Sequence, residues 1–238
     1  MTQRSILVGK NQTIMIKVGA SVTVRGHDSD LLTAETKGTG GLTLECRSEA
    51  EVGRARAAIG DHVLFDWRIK LPSPPSPLPL GEGRRGEGEV IEVQMGGSGK
   101  VLVPIESNLK VYAGKDIDVQ SIKGQVDAYS GLSLRLQDVY GLGNASAGWE
   151  MNIDCQMLLG QDVTFGAGRD LRFHVVDLTS ARLRVKDIGG YWEARIGSGE
   201  KSIYLKSGGD VTFVTDQKVE PLPPNYILGK IEKPSAAS

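Results

Sequence analysis

Between Lys110 and Asp216, apolar and polar residues alternate with a period of two, in short bursts that recur along the chain. The apolar positions of four such bursts are Ile117/Val119, Leu134/Leu136, Met151/Ile153 and Leu171/Phe173. A period of two marks a strand with one buried face, because successive Cβ atoms point to opposite sides of a pleated backbone. Each burst follows a small residue, a glycine and two further residues, as in Lys110–Val119, Asp127–Leu136, Asn144–Ile153 and Thr164–Phe173. The glycines Gly114, Gly131, Gly148 and Gly168 stand 17, 17 and 20 residues apart. Two packed helices per unit need roughly 33 residues or more, so the period is too short for a helical array. Strand, turn, strand at this spacing predicts one coil of a β-solenoid, each coil burying its neighbour's apolar face. Glycine is expected at the turn because it tolerates positive φ without a Cβ penalty. An antiparallel sandwich is the alternative; against it, the repeat region lacks two-residue Asn-Gly or Asp-Gly hairpin turns.

The second half of each unit closes on an apolar residue and a glycine, in Val119–Gly124, Leu136–Gly141 and Ile153–Gly160. Val185–Gly190 repeats that idea, and Tyr191–Leu205 and Ser207–Phe213 read as degenerate terminal copies. The run Ala113–Gly141 and the later Ser207–Phe213 resemble the bacterial DUF4097-like putative adhesin family, a β-strand-repeat group with a recurring Ser/Gly-Gly-Asp-Val/Leu-x-Val signature. The likeness covers Val101–Val214 well and Ile14–Leu44 weakly, and a more distant one links the coils to bactofilins, whose coil length is similar. What the resemblance implies is a fold and not a reaction. The expected class is all-β, a right-handed single-stranded β-solenoid with an N-terminal β layer.

Four segments follow from the pattern. Residues 1–71 form a β-rich segment, with strands in Ser5–Val8, Gln12–Val18, Ser21–Gly26, Leu31–Glu35 and Gly41–Cys46, expected to cover the first coil. Ser48 and Glu51 have capping-box spacing, so a short helix to Gly60 is predicted there with a strand as the alternative; Val63–Leu71 reads as a strand. Residues 72–88 hold five of the ten prolines between Pro72 and Pro79, then glycines alternating with charges. Proline lacks a donor and fixes φ, so this is a surface insertion of extended and flexible chain, and Pro74–Pro77 fits a P-x-x-P ligand as the alternative. Residues 89–216 carry the solenoid repeats and 217–238 a C-terminal tail.

Charge narrows the function more than composition does. With 28 basic and 29 acidic residues the net charge is −1, without the basic excess expected of a nucleic-acid binder. Cys46 and Cys155 lie in different segments and predict neither a disulfide nor a metal site. His27, His62 and His174 have no metal-ligand spacing. Gly96–Val101 departs from a phosphate loop at Gln94 and at Val101, and no helical pattern follows it. Asp116, Asp118, Asp138, Asp154 and Asp170 recur at or near equivalent positions and could form carboxylate ladders. Glycosidic cleavage would further need two carboxyls about 5–9.5 Å apart in a cleft.

No catalytic, cofactor-binding or metal-binding residue is therefore assigned, and no cofactor is expected. The expectation is a non-enzymatic scaffold or adhesin-like interaction module that self-associates and takes a protein or carbohydrate partner. The alternative is a carbohydrate-binding or carbohydrate-active β-helix protein. Neither nucleic acid nor a membrane span is expected, and the absence of an apolar N-terminal leader points to the cytoplasm.

Overall fold

The computed structural model describes residues 2–8, 12–37, 41–48, 89–157, 162–177, 181–187, 190–196, 201–215 and 219–220. The helix or strand predicted after Ser48, the strand at Val63–Leu71, the proline-rich insertion and nearly all of the tail lie outside the described residues. Every element among the described residues is a strand. The first five are β1 (Thr2–Leu7), β2 (Thr13–Val18), β3 (Val22–His27), β4 (Leu31–Lys37) and β5 (Leu42–Ser48). Next come β6 (Glu89–Met95), β7 (Ser98–Pro104), β8 (Asn108–Ala113), β9 (Ile117–Ser130) and β10 (Leu134–Ala147). The last eight are β11 (Met151–Met157), β12 (Val163–Ala167), β13 (Leu171–Asp177), β14 (Ala181–Asp187), β15 (Gly190–Ile196), β16 (Ser202–Ser207), β17 (Val211–Thr215) and β18 (Val219–Glu220).

These strands form one large mixed sheet with two branches, joined because β9 and β10 pair separately in each half. The first branch runs β5, β6, β2, β8, the second halves of β9 and β10, β12, β16, β14, β15 and β18. The second runs β1, β4, β7, β3, the first halves of β9 and β10, β11, β13 and β17. Pairing is parallel through the middle, with Ile117 beside Leu134, Leu134 beside Met151, Met151 beside Leu171 and Leu171 beside Val211. Antiparallel pairs occur toward the ends, where β4 adds to β7, β1 to β4, β5 to β6 and β15 to β14. The apolar positions predicted from the alternation are all buried, and both branches contribute to one core. Phe165, Phe173 and Phe213 stack in that core with centroids 5.1 and 5.7 Å apart.

Seven layers result among the described residues, each a first-branch strand, a glycine corner and a second-branch strand. Their spatial order is β6–β7, β2–β3, β8–β9, β9–β10, β10–β11, β12–β13 and β16–β17. At the six corners after the first, the glycine N–H donates to the layer preceding it in that order: Gly19 to Met95 O (2.9 Å), Gly114 to Val18 O (3.0 Å) and Gly131 to Ala113 O (3.0 Å). Gly148 donates likewise to Ser130 O (3.1 Å), Gly168 to Ala147 O (3.0 Å) and Gly208 to Ala167 O (3.1 Å).

The structure corrects the reason for these glycines. None of Gly19, Gly114, Gly131, Gly148, Gly168 and Gly208 has a left-handed φ. Each instead has the carbonyl oxygen of the neighbouring corner glycine where its own Cβ would stand, closer than the 3.0 Å that real Cβ atoms respect. Among the described residues the non-glycine residues with left-handed φ are Ser121 (φ 56°) and Asp138 (φ 54°), at the opposite bend where β9 and β10 cross between branches. Asp138, a residue type that enters this region more readily than most, receives Ser121 Oγ at 3.2 Å.

Both ends differ from the simple series. The β2–β3 pair does not sit outside the first coil but between β6–β7 and β8–β9, so the chain builds its second layer before its first. Val185–Gly190 and Tyr191–Ile196 are not copies of the repeat; they belong to an antiparallel β14–β15 hairpin lying outside β16. Ser207–Phe213 is a full copy, reached one hairpin late.

The corner predicts opposite signs for one kind of substitution. Gly131→Ala and Gly148→Ala should each destabilise by about 1–3 kcal/mol or more, because a backbone carbonyl must give way. Gly166→Ala, on a strand with nothing within 4 Å of the added carbon, should be neutral or stabilising by up to about 1 kcal/mol. Chemical denaturation of the three variants checks this ordering.

Candidate binding face

Strand geometry turns the polar residue of each apolar–polar–apolar triplet outward, and stacking sets these residues in a column across the second branch. The column runs Lys100, Thr23, Asp118, Arg135, Asn152, Arg172 and Thr212. Beside it run Arg25 and Gln120, then Gln137, Asp154 and His174. Arg135, Gln137, Asn152, Asp154, Arg172 and His174 surround a shallow, polar depression of about 200 Å³. Asp154 Oδ1 lies 3.2 Å from His174 Nδ1, and both side chains are partly exposed. Asp118 accepts from the Gln120 amide at 3.1 Å.

The five aspartates do not form one ladder. Asp116 sits at the glycine corner, accepting from Ser21 Oγ at 2.9 Å and Ser133 N–H at 3.3 Å. Asp170 is at a corner too, 3.2 Å from Arg169 Nε and accepting from Asp210 N–H at 3.3 Å. Asp138 occupies the opposite bend, where the Gln156 amide also reaches it at 3.4 Å. Only Asp118 and Asp154 stand on the outer face of the second branch. His27 closes a local turn, its ring 2.8 Å from Leu31 O and accepting from Ser29 N–H at 3.1 Å, while His174 lies partly exposed on a strand face. His62 lies outside the described residues. Gly97 and Ser98 turn the chain into β7, with Gly99 close against Met95 Sδ, so Gly96–Val101 leads into a strand. Among the described residues no group of three His, Cys, Asp or Glu could hold a metal ion, and no helix is long and apolar enough to cross a membrane.

A second feature lies at the glycine corners of the same layers. The residues after the corner glycines form an exposed row in which Leu132, Trp149 and Arg169 are joined by N–H···O bonds of 2.9 and 2.8 Å. Arg169 lies over the Trp149 ring at 5.2 Å, a cation–π contact that leaves the ring 49 % exposed. On the outer face of the first branch, Tyr112 and Tyr129 stack at 5.1 Å. The arginines at the depression were not singled out by motif or spacing. Superposing the repeats could have found them, since Asp118, Arg135, Asn152 and Arg172 are the central residues of successive triplets.

No family model matches the chain, and no curated protein matches it. Among solved structures, it is similar to the crystal structure of a putative cell adhesion protein from Clostridium sporogenes. The two are 7 % identical with a TM-score of 0.42, over 90 % of this chain and 97 % of that one. A likeness at this level transfers neither fold nor role.

Cys155 gives a pH prediction. It is fully buried beside the bend, and desolvation, reinforced by the Asp154 carboxylate, pushes its thiol up to about 12. The native state therefore keeps a proton that the unfolded chain releases above about pH 9. Stability from this group is complete below that value and is lost as pH rises towards 12, by on the order of 1 kcal/mol per pH unit. Cys155→Val should flatten the alkaline limb of the stability profile relative to wild type, measured by denaturant melts from pH 8 to pH 11. Equal limbs would exclude a protonated Cys155 as the cause.

Proposed function

We propose that the chain is a right-handed β-solenoid that acts without catalysis, as a scaffold or adhesin-like interaction module, and that copies associate end to end. The layers step forward through β9 and β10 in parallel register, and parallel crossovers within one sheet are right-handed in about 98 % of cases. The carboxylates that a hydrolase would need in one cleft are divided between two kinds of bend and an open strand face. That division supports a binding role over a catalytic one.

The observation that carries self-association is the pair of outer strands in the second branch. Among the described residues β17 pairs only with β13, and β1 at the far end pairs only with β4. On its other edge each has no partner strand among the described residues, and an open edge is a template for another strand. Joining unlike ends is a heterologous contact, which propagates into filaments or closes into rings.

Static light scattering over a wide concentration series tests this reading. Wild type should grow into large species with concentration. Val214→Lys, which puts a charge on the partly exposed outer side of β17, should shift the distribution to monomer without changing the melting temperature. A wild-type protein that stays monomeric throughout rules out end-to-end association.

A further inference from the structure

Arg135 and Arg172 have no ion-pair partner among the described residues, while the acids on their face are already engaged. Asp154 pairs with His174, and Asp118 holds the Gln120 amide. The two arginines occupy the same place in their layers with Asn152 between them, so their backbones are two strand spacings, roughly 10 Å, apart. Both line the 200 Å³ depression that Gln137, Asn152, Asp154 and His174 complete. Whole small-molecule sites occupy about 300–1,000 Å³, so this one has room for a single residue of a longer ligand lying across the strands.

The lining selects the chemistry. Two guanidinium forks that belong to no ion pair among the described residues match carboxylates, each through two parallel N–H···O bonds. Gln137 and Asn152 each offer an amide donor and an amide acceptor, and Asp154 and His174 add further polar atoms, which suits a ring bearing several hydroxyls. An acidic peptide would use the arginines but leave most of the amides without partners. We propose that the outer face of the second branch binds an acidic oligosaccharide, with uronate carboxylates gripped by Arg135 and Arg172 and hydroxyls held by Gln137, Asn152 and His174. This rests on the reading of the chain as an interaction module and is independent of whether copies associate.

The test is calorimetric titration of the full chain with uronate oligomers from pectin, alginate and hyaluronan. A neutral galactose oligomer and polyglutamate serve as comparators. At least one uronate oligomer should bind saturably and more weakly at high salt. R135Q and R172Q should each lose about tenfold or more, the scale of a hydrogen bond to a charged group. K206Q, which removes an exposed charge from the first branch, should bind like wild type. The proposal is overturned if no uronate oligomer binds, if the neutral oligomer or polyglutamate binds equally well, or if both arginine variants retain full affinity. Thermal melts of R135Q and R172Q confirm that they are folded, and light scattering on the same samples reads self-association separately. Loss of either property therefore leaves the other measurable.

Discussion

A backbone carbonyl occupying the space of a missing Cβ sets the geometry of this molecule. Layers held by interstrand hydrogen bonds lie about 4.8 Å apart, and a tight bend brings consecutive carbonyls directly over one another. At Gly19, Gly114, Gly131, Gly148, Gly168 and Gly208 the neighbouring carbonyl leaves no room for any side chain. The corner therefore tolerates glycine and little else, while the strands on either side need only keep their alternation. With the corners aligned, the register of the parallel strands on either side of them follows. Met151 must lie beside Leu134 and Leu171 because Gly148 lies between Gly131 and Gly168.

The same constraint explains which parts of the fold could be read from the sequence. Where glycines recur after 17, 17 and 20 residues, stacking is direct and the buried positions are those the alternation marks. Order was not legible at the start of the chain, because Val22–Val24 and Val101–Val103 carry the same alternation and nothing in either says which layer lies outermost. Only the contact of Gly19 with Gly96 on one side and Gly114 on the other decides it. The β14–β15 hairpin was misread for a related reason. Alternation of apolar and polar residues is identical in parallel and antiparallel strands, so Val185–Gly190 and Tyr191–Leu205 read as further copies of the repeat. The opposite bend escaped because it does not use glycine for its left-handed residues; Ser121 and Asp138 fill them and hydrogen-bond to each other.

The candidate site was less legible than the fold. An outward arginine on a solvated strand is unremarkable in isolation, and a search by motif passes over it. Arg135 and Arg172 are 37 positions apart, yet stacking places them one strand from a shared Asn152. The aspartates show the converse. Their recurrence suggested a ladder, but a shift of one or two residues along a layer moves a carboxylate from the strand face to the bend. There Asp116 and Asp170 accept backbone N–H groups, and Asp138 accepts side-chain donors. Recurrence in a repeat thus carries functional meaning only when the position within the layer is the same.

A stack built this way confines any chemistry to its exterior. The space between the branches is filled by apolar side chains, aliphatic in the middle layers and aromatic where Phe165, Phe173 and Phe213 stack, so it encloses the core and not a ligand. What remains are two outer faces and two ends. The faces are regular, repeating polar groups at the strand spacing, and so suit partners that are themselves repetitive. The ends are irregular: hairpins and antiparallel strands extend the first branch beyond β6 and β16, while the second branch stops at β17. A ligand lying on a face and a contact made at an end would therefore be separable by substitution, because face and end share the corner ladder but use different side chains.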